Sequence, residues 1–536
     1  MRRHGAAVAS AALILVAVTA WVRLSPLAAN DLVGGDEGYY GTMARNVLAS
    51  ARYAVSPSLT PLGPPGDKPP LVPLLLAASI HWFGPGEAAL RWISIAAAAV
   101  IAFACGRLAG RAAGPVAEVA CAGLLVTLPW FADASRVVAA EIPLTALGAL
   151  ALVVVCSENV SRRGASAAGV LLGLAFLCKL WLAVLVAAPA AGALSMSRGG
   201  RSRLLPWLVG CAIATASLHL VAVALRQPAS LPHWWAIYVG RSLVERVQGE
   251  GYAPYWRQPP VFYWNLLAHA FVLALPLVAV GLDWAVRRLR DPAPRALVLW
   301  LLGAAVLSLF RVKSGGYAYV VVPAWAAVAA LGVHALASGH RPAALPLALA
   351  AVVGSPFALI GMGGEPLVWT LWLAAWLAFS LIGVVTRYAG RLAPGLAVVF
   401  ALCVALAGAV RLAQRLPLRY HATGYREAAA ALGPLLRDVA PERPCFIAPE
   451  APAWSYYWFR TGAYWGTPIT PWSQERREAV EADTLLRVFV VDARQERYGG
   501  WPDSATVRWL ERSTREVTND PALRSGKSAG IRIFVR

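Results

Sequence analysis

Long apolar stretches separated by short polar loops fill most of the first 414 residues of this 536-residue chain. Two of them are short and are divided only by Lys179, so residues 166–196 form either one long helix or two. The pattern predicts an α-helical polytopic membrane protein. Stretches of bilayer-crossing length lie near residues 7–25, 88–106, 112–131, 138–156, 166–178, 180–196, 204–225, 261–283, 295–310, 317–337, 342–362, 366–386 and 393–414.

The composition supports this prediction and excludes other classes. The chain is 58% hydrophobic with a mean hydropathy of +0.58, which is too apolar for an ordinary soluble fold. Its 22 Trp suit the membrane–water interfaces. A net charge of +20 would suggest a nucleic-acid partner in a soluble protein. Here the excess lies mostly in short Arg-rich loops, so no nucleic acid is predicted.

The Arg-rich loops predict the topology, because such loops face the cytoplasm. They share one side only if residues 166–196 are two helices. Thirteen transmembrane helices with a cytoplasmic N terminus is therefore the consistent solution. The loop residues concerned are Arg2, Arg3, Arg107, Arg111, Arg162, Arg163, Arg198, Arg201, Arg203, Arg287, Arg288, Arg290, Arg341, Arg387 and Arg391.

This topology places four segments on the outer face: residues 26–87, 226–260, 310–317 and a tail from about 416. Residues 38–52 are predicted to form an interfacial helix with Tyr39, Met43, Val47 and Leu48 on one face. The stretch "HWWAIYVGRSLVERVQ" predicts a second interfacial helix. Residues 1–29 fit either a cleaved signal peptide or an uncleaved signal anchor, and we favour the anchor.

The tail differs in pattern from the rest of the chain. Strands are predicted at "RPCFIAP", "LRVFVVD" and "GIRIFVR", and helices at residues 424–439, 471–483 and 504–513. Two domains follow: a transmembrane domain over residues 1–415 and a small extracytoplasmic α/β domain over residues 416–536. The seven cysteines show neither a disulfide framework nor a metal-binding spacing, and the histidines are scattered, so no metal site is predicted.

Lysine is rare in this chain, with four examples among 48 basic residues: Lys68, Lys179, Lys313 and Lys527. The three in the transmembrane domain all fall at the predicted outer face. Lysine commonly binds phosphate, so an anionic ligand is predicted there. Chance placement with side chains extended to the interface is the alternative.

Two of these lysines have informative neighbours. The prolines after Lys68 start the next helix, whose positive end favours an anion, although a solvated lysine in a Pro-rich turn is equally consistent. Lys313 and Arg311 form a basic pair at the membrane surface before "GGYAYVVVP". Phosphate of a substrate or of a lipid head group fits that pair.

Three acids stand out. Asp36 and Glu37 are adjacent after the first apolar stretch, and they suit a general base, a cation site or a helix N-cap. Glu141 lies inside an apolar stretch, where an acid is usually functional or paired. Arg136 is its candidate partner.

These residues fall in stretches that resemble the GT-C superfamily of lipid-dependent glycosyltransferases. The similar branch contains the lipid A aminoarabinose transferase and the protein O-mannosyltransferases. The resemblance covers roughly residues 20–330 and implies inverting transfer of one sugar from a polyprenyl phosphate to an acceptor. The stretches, in the family's order, are "DEGYYGTMARNVLASARYAVSP", "GDKPPLVPLLLAASIHWFG", "ASRVVAAEIPL", "GLAFLCKLW" and "FRVKSGGYAYVVVP".

The resemblance also implies roles for individual residues. Asp36, supported by Glu37, matches the acid that activates or orients the acceptor, and Glu141 stands where relatives usually have Asp. Donor-phosphate ligands are Lys68, Arg311, Lys313 and Lys179. Candidate substrate-binding residues are Tyr39, Arg45, Arg136, Arg246 and Tyr317. No cofactor is predicted, and a divalent cation is left open.

The chain departs from the family in two places. "PLGPPGD" replaces a shorter aromatic stretch before Lys68, and the tail matches no acceptor-binding domain. The acceptor therefore stays open between lipid A, protein, glycan and another envelope lipid. The expected partners are the polyprenyl-linked donor, membrane lipids and this acceptor, and the expected protein is a monomer of the bacterial inner membrane with a periplasmic active site.

Two other functions are alternatives. A transporter or flippase of polyprenyl-linked sugars would show two related halves with broken helices, and the sequence shows no such halves. A non-enzymatic envelope scaffold would not explain why acids and lysines converge on one face.

Overall fold

The computed structural model describes residues 2–24, 27, 32, 36–49, 68–195, 201–249, 257–271, 274–340, 402–410, 412–413, 444–447, 488–492, 504–516 and 531–535. The chain divides into two compact units by its contacts. The first comprises Met1–Ser25 and Ser94–Leu418, and the second comprises Pro26–Ile93 and Arg419–Arg536.

Helices dominate the described residues. In chain order they are α1 Arg2–Leu24, α2 Asp36–Ala49, α3 Leu71–Phe83, α4 Glu87–Ala113, α5 Pro115–Thr127, α6 Pro129–Ser135, α7 Glu141–Val155, α8 Arg162–Lys179, α9 Val184–Ser195, α10 Leu205–Arg226, α11 Leu231–Trp235 continued by the π-helical Ala236–Glu245 and by Arg246–Gln248, α12 Phe262–Ala270, α13 Leu275–Val286, α14 Pro292–Leu301, α15 Gly303–Ser308, α16 Val322–Ala337 and α17 Ser504–Ser513.

Within these residues, four helical stretches are long and apolar enough to cross a membrane: Gly5–Arg23, Glu87–Ala113, Arg162–Ser195 and Arg201–Arg226. A fifth is obtained if α5 and α6, which are bent by 68°, count as one. The chain is thus a largely helical membrane protein. The predicted helices at 342–362 and 366–386 and most of 393–414 lie outside the described residues, so the count of thirteen stays a prediction.

The chain reverses direction between α8 and α9. At one end of α7, Lys179 Nζ lies 2.6 Å from Glu141 Oε1. Beyond the other end, Arg201 donates to the Glu158 carbonyl oxygen at 2.6 Å. Because α8 starts beside Glu158 and ends beside Glu141, α9 must return. Leu180 makes the turn with φ +45°, a conformation strained for a side chain with a Cβ. These contacts support the interpretation as two helices.

Several predicted helices are interrupted. The helix expected at 112–131 breaks at Leu128, because Pro129 has no N–H to continue the hydrogen-bond ladder. The helix expected at 317–337 begins instead with a 3₁₀ turn, Gly315–Val320. The stretches at 261–283 and 295–310 each contain two helices, α12 with α13 and α14 with α15.

Helix α16 forms much of the core of the first unit, since nearly all of its residues are buried. It crosses α13 so closely that the backbones meet. A Cβ on Gly281 would overlap the carbonyl of Val328, and one on Gly332 would overlap the carbonyl of Leu277. Glycine at these two positions is therefore a packing requirement.

In the second unit, α2 packs against α3. The prediction of an interfacial α2 with one apolar face is wrong. Met43 is fully buried while Leu48 is exposed, and residues 40–46 are buried on every side of the helix. Helix α3 follows Pro69 and Pro70 directly, as the proline pair predicted.

The second unit also contains a four-stranded sheet. Its strands are β1 Pro444–Ile447, β2 Val488–Asp492, β3 Arg515–Glu516 and β4 Ile531–Val535, in the order β1-β2-β4-β3. The β1–β2 pair is parallel and the other two pairs are antiparallel. Strands β1, β2 and β4 and helix α17 lie where the sequence pattern placed them. The helices predicted at 424–439 and 471–483 lie outside the described residues.

Candidate functional site

Glu141 and Lys179 form a buried ion pair in the first unit. The Nζ–Oε1 distance is 2.6 Å, and the side chains are 3% and 15% exposed. Glu141 opens α7 and Lys179 closes α8, so the pair joins the two helix ends. The prediction that Arg136 is the partner of Glu141 is wrong. Its guanidinium reaches back one turn to the Asp133 carboxylate and to the Ala132 carbonyl oxygen, because α6 ends at that point.

Tyr317 lies between two cations. Its ring centroid is 5.5 Å from Lys179 Nζ and 5.3 Å from the Arg246 guanidinium carbon. Trp181 packs edge-on against the same ring at 5.5 Å. Cations over aromatic faces keep their hydrogen-bond donors while gaining electrostatic attraction. The aromatic group thus holds a lysine and an arginine near one another.

The loop that carries Arg311 and Lys313 is tied down by its own hydrogen bonds. Lys313 is only 2% exposed and donates to the carbonyl of Gln258 at 2.8 Å and to that of Phe310. Burial lowers the pKa of its ammonium group. Arg311 is exposed and donates to the Gln248 carbonyl oxygen at 3.4 Å. Lys313 is therefore built into the loop, whereas Arg311 is open to a ligand.

Further bonds join this loop to the preceding segments. The Tyr263 hydroxyl accepts from the Ser314 amide and donates to its carbonyl, both at 3.1 Å. The Val312 amide donates to the Arg246 carbonyl at 3.1 Å. Segments that the topology assigned separately to the outer face are thus in contact with Tyr317, and through it with Lys179. They form one basic, aromatic cluster at one end of the first unit, which we call the lysine–tyrosine cluster: Glu141, Lys179, Arg246, Arg311, Lys313 and Tyr317.

A second buried ion pair lies in the second unit. Glu37 accepts from Arg91 Nε and Nη2, both at 2.9 Å, and each side chain is 2% exposed. The same guanidinium donates to the Leu27 carbonyl oxygen. Arg91 was missed in the sequence, where the signal was a lone arginine in the first turns of an apolar helix.

Asp36, Tyr39 and Lys68 accompany that pair. Asp36 is half-buried in the first turn of α2, so it lies inside the helix and not at the N-cap. The Lys68 ammonium nitrogen lies 5.1 Å from the Tyr39 ring centroid. Arg45, nine residues after Asp36 on α2, is buried. Among the described residues, no group of three or more His, Cys, Asp and Glu could hold a metal ion.

Comparisons with known proteins give one family match and several structural matches. Residues 67–225 match the family model of dolichyl-phosphate-mannose-protein mannosyltransferases. The fold resembles ArnT from Cupriavidus metallidurans bound to undecaprenyl phosphate, with a TM-score of 0.66, 15% identity and 97% coverage of each chain. The apo state of that protein gives 0.66 and 16% identity, covering 97% of this chain and 96% of that one.

The oligosaccharyltransferase of Archaeoglobus fulgidus in its apo form is a further structural neighbour. Its TM-score is 0.56 at 12% identity, covering 91% of this chain and 70% of that one. A comparison with curated protein sequences gives no match.

The fold is therefore the one shared with ArnT and with the Archaeoglobus fulgidus oligosaccharyltransferase. Because the family match covers Lys68, Glu141 and Lys179, it links the candidate residues to this fold. The family match over residues 67–225 and the shared fold agree with the resemblance to the GT-C superfamily, in its ArnT and protein mannosyltransferase branch, that the sequence predicted. The resemblance expected from the sequence is confirmed.

Proposed function

We propose that the protein transfers a single sugar, with inversion, from a polyprenyl-phosphate donor to an acceptor at the outer face of the bacterial cytoplasmic membrane. The observation that carries this proposal is the lysine–tyrosine cluster, which gathers cations beside an aromatic ring at one end of a bundle of apolar helices. The undecaprenyl phosphate bound to the structurally similar ArnT supports the donor class.

The donor phosphate is the group these cations would serve. Breaking the bond between the sugar C1 and the phosphate oxygen leaves a second negative charge on the polyprenyl phosphate. Fixed cations stabilise that developing charge more than they stabilise the bound donor, which lowers the barrier. Lys179, Arg246 and Arg311 have donors suited to this role, and Lys68 is proposed to contribute a further one.

Asp36 is proposed to act on the acceptor. In the transfer, an acceptor oxygen forms a bond to C1 as the C1–O bond to phosphate breaks, and the hydroxyl proton passes to the Asp36 carboxylate. A phosphate acceptor needs no such proton transfer, and Asp36 would then orient it. Tyr39, Arg45 and Arg136 remain candidates for substrate contact.

Three of the candidates are proposed to position others. Glu37 is occupied by Arg91 on both oxygens, so we assign it to holding the start of α2, where Asp36 lies. Lys313, buried and bonded to two carbonyls, is assigned to holding the loop of Arg311. Glu141 is assigned to placing Lys179.

The membrane arrangement is part of the proposal. We propose thirteen transmembrane helices in residues 1–415, with the loops 26–87, 226–260 and 310–317 outside, and an outer α/β domain in residues 416–536. The mixed sheet β1–β4 supports that domain. The acceptor is an envelope molecule, with lipid A among the candidates, and the protein acts as a monomer.

The reaction can be tested with purified full-length protein and a set of polyprenyl-phosphate sugars, by measuring free polyprenyl phosphate. Asp36→Asn and Lys68→Ala should each lower release by about 100-fold or more. Lys527→Ala, which changes the fourth lysine, is the matched control and should release as the wild type does. Persistent turnover in the first two variants would refute the site. No release with any donor would favour a transporter.

The orientation can be tested by cysteine labelling in a background without other reactive cysteines. Arg311→Cys should react with a membrane-impermeant maleimide added to intact cells. Ser202→Cys, exposed at the opposite end of the first unit, should react only after permeabilisation. The reverse result would invert the proposed topology.

A further inference from the structure

A cleft of about 420 Å³ opens in the first unit at the end of α7 far from Glu141. Its lining includes Arg107, Arg111, Glu118, Glu158, Arg201 and Asp291. Helix α7 has 15 residues, so roughly 22 Å separates this cleft from the lysine–tyrosine cluster. It is a separate place in the molecule, and no step proposed above uses it.

The guanidinium groups of the cleft differ in their partners. Arg107 is neutralised by Glu118, whose two oxygens lie 2.8 and 3.0 Å from Nη1. Arg111 and Arg201 donate only to backbone carbonyls within the described part of the chain, those of Val153 and Glu158. Glu118 and Glu158 act on the charge of Arg111 through space, but among the described residues neither Arg111 nor Arg201 is hydrogen-bonded to a carboxylate.

Arg201 gives a second indication. Its Nη1 is buried and has no hydrogen-bond partner among the described residues. A buried donor left without a partner costs free energy that a bound acceptor recovers. A phosphate is an acceptor well suited to guanidinium groups, because its oxygens allow paired hydrogen bonds.

The cleft also carries exposed carboxylates. Glu158 and Asp291 are exposed, on the loop after α7 and at the start of α14. A cleft lined by both guanidinium groups and carboxylates matches a zwitterion, whose phosphate would contact Arg111 and Arg201 and whose ammonium group would contact Glu158 or Asp291. A cleft of this volume is large enough for such a head group.

The position of the cleft along the membrane-crossing helices indicates the kind of ligand. Arg111 lies in the last turn of Glu87–Ala113, and Arg201 opens Arg201–Arg226, both of which are long enough to cross a membrane. Charged residues at such helix ends lie at the depth of lipid head groups. The geometry points to a site for an ethanolamine phosphate ester, supplied either by phosphatidylethanolamine or by a soluble ester of the same chemistry.

Native mass spectrometry of the full-length protein tests this site. The delipidated protein is offered phosphatidylethanolamine, phosphatidylglycerol or phosphatidylcholine. Wild type should retain phosphatidylethanolamine best, and Arg111→Gln with Arg201→Gln should lower that retention about tenfold or more. Arg203→Gln, an exposed arginine on the same 3₁₀ turn outside the lining, should retain it as wild type does. Equal retention in the double variant would overturn the site.

A second arm distinguishes the source. Glycerophosphoethanolamine and inorganic phosphate are titrated against lipid-free protein while the melting temperature is followed. Saturable stabilisation by the soluble ester at micromolar concentration would assign the site to a soluble ligand, whereas its absence alongside lipid retention assigns it to the lipid. Should the double variant fail to fold, the lipid retention of Asp291→Asn tests the site instead. It should lose the preference for ethanolamine over glycerol head groups, and an unchanged preference would refute the zwitterion match.

Discussion

Two buried carboxylates in this protein each bind one cation, and the two pairs are built differently. Glu37 binds Arg91 through two parallel hydrogen bonds, and both side chains are almost fully enclosed. Glu141 binds Lys179 through one short contact, and the lysine is 15% exposed and also lies against Tyr317. The first pair uses both carboxylate oxygens on one guanidinium, whereas the second is a single ammonium–carboxylate contact.

The difference separates a fixed support from a group that can exchange partners. A planar, bidentate pair out of contact with water is costly to break from either side. A single ammonium–carboxylate contact at a partly open helix end can be shared with an incoming anion at lower cost. We therefore expect the first pair to govern stability and the second to govern turnover.

The largest effect on stability is expected for Arg91→Met. It leaves the Glu37 carboxylate buried without its cation, which should lower the free energy of unfolding by about 3–5 kcal/mol. Chemical denaturation in detergent measures the change. Adding Glu37→Gln to Arg91→Met should recover part of the loss. If Arg91→Met unfolds as the wild type does, the pair is not a support.

Glu141→Gln should have a smaller effect on stability and a larger one on catalysis. The amide oxygen still accepts from Lys179, so the loss of stability should stay near 1–2 kcal/mol. Release of polyprenyl phosphate should fall about 100-fold because the lysine is no longer held by a charge. The comparison fails if this variant loses stability as Arg91→Met does while its turnover is normal.

Gly316→Ala tests the placement of Glu141 through a neighbouring backbone position. A Cβ at this position would lie 3.1 Å from Glu141 Oε1, so the carboxylate must move by a few tenths of an ångström. We expect turnover to fall several-fold with little change in stability. Gly315→Ala is the matched control, since its Cβ would meet only Leu266 Cδ2 at 3.8 Å. Equal turnover of the two variants would contradict the proposed placement.

The smallest effect on stability is expected for an exposed ion pair. Arg287 pairs with Asp283 at 3.1 Å on the surface of α13, and its side chain is mostly exposed. Arg287→Ala should change the free energy of unfolding by about 0.5 kcal/mol or less, because water screens such pairs. A loss comparable to that of Arg91→Met would show that burial is not what distinguishes the pairs.

Periodicity and local chemistry predicted much of the architecture. The apolar stretches gave the positions of most helices, and the β-rich stretches gave β1, β2 and β4. The proline pair after Lys68 correctly predicted the start of α3. These features depend on residues close in the sequence, which is why the sequence alone was enough.

The partners of the charged residues depended on packing and were harder to predict. Arg136 is five residues from Glu141, yet the end of α6 turns it toward Asp133. Lys179 is 38 residues away and reaches Glu141 because α8 ends beside the start of α7. Adjacent Asp36 and Glu37 point about 100° apart on their helix, so only one of them can reach Arg91. Such contacts follow from how helices dock.

The reversal at Leu180 has a consequence for every later loop. Each crossing of the bilayer exchanges the two faces, so the side on which a loop lies is set by the parity of the crossings before it. In the proposed topology, the chain reversal at Leu180, with φ +45°, supplies the extra crossing between α8 and α9. A change that straightened this turn would exchange the faces of all the loops that follow, and would carry Arg311 to the side that now holds Arg201.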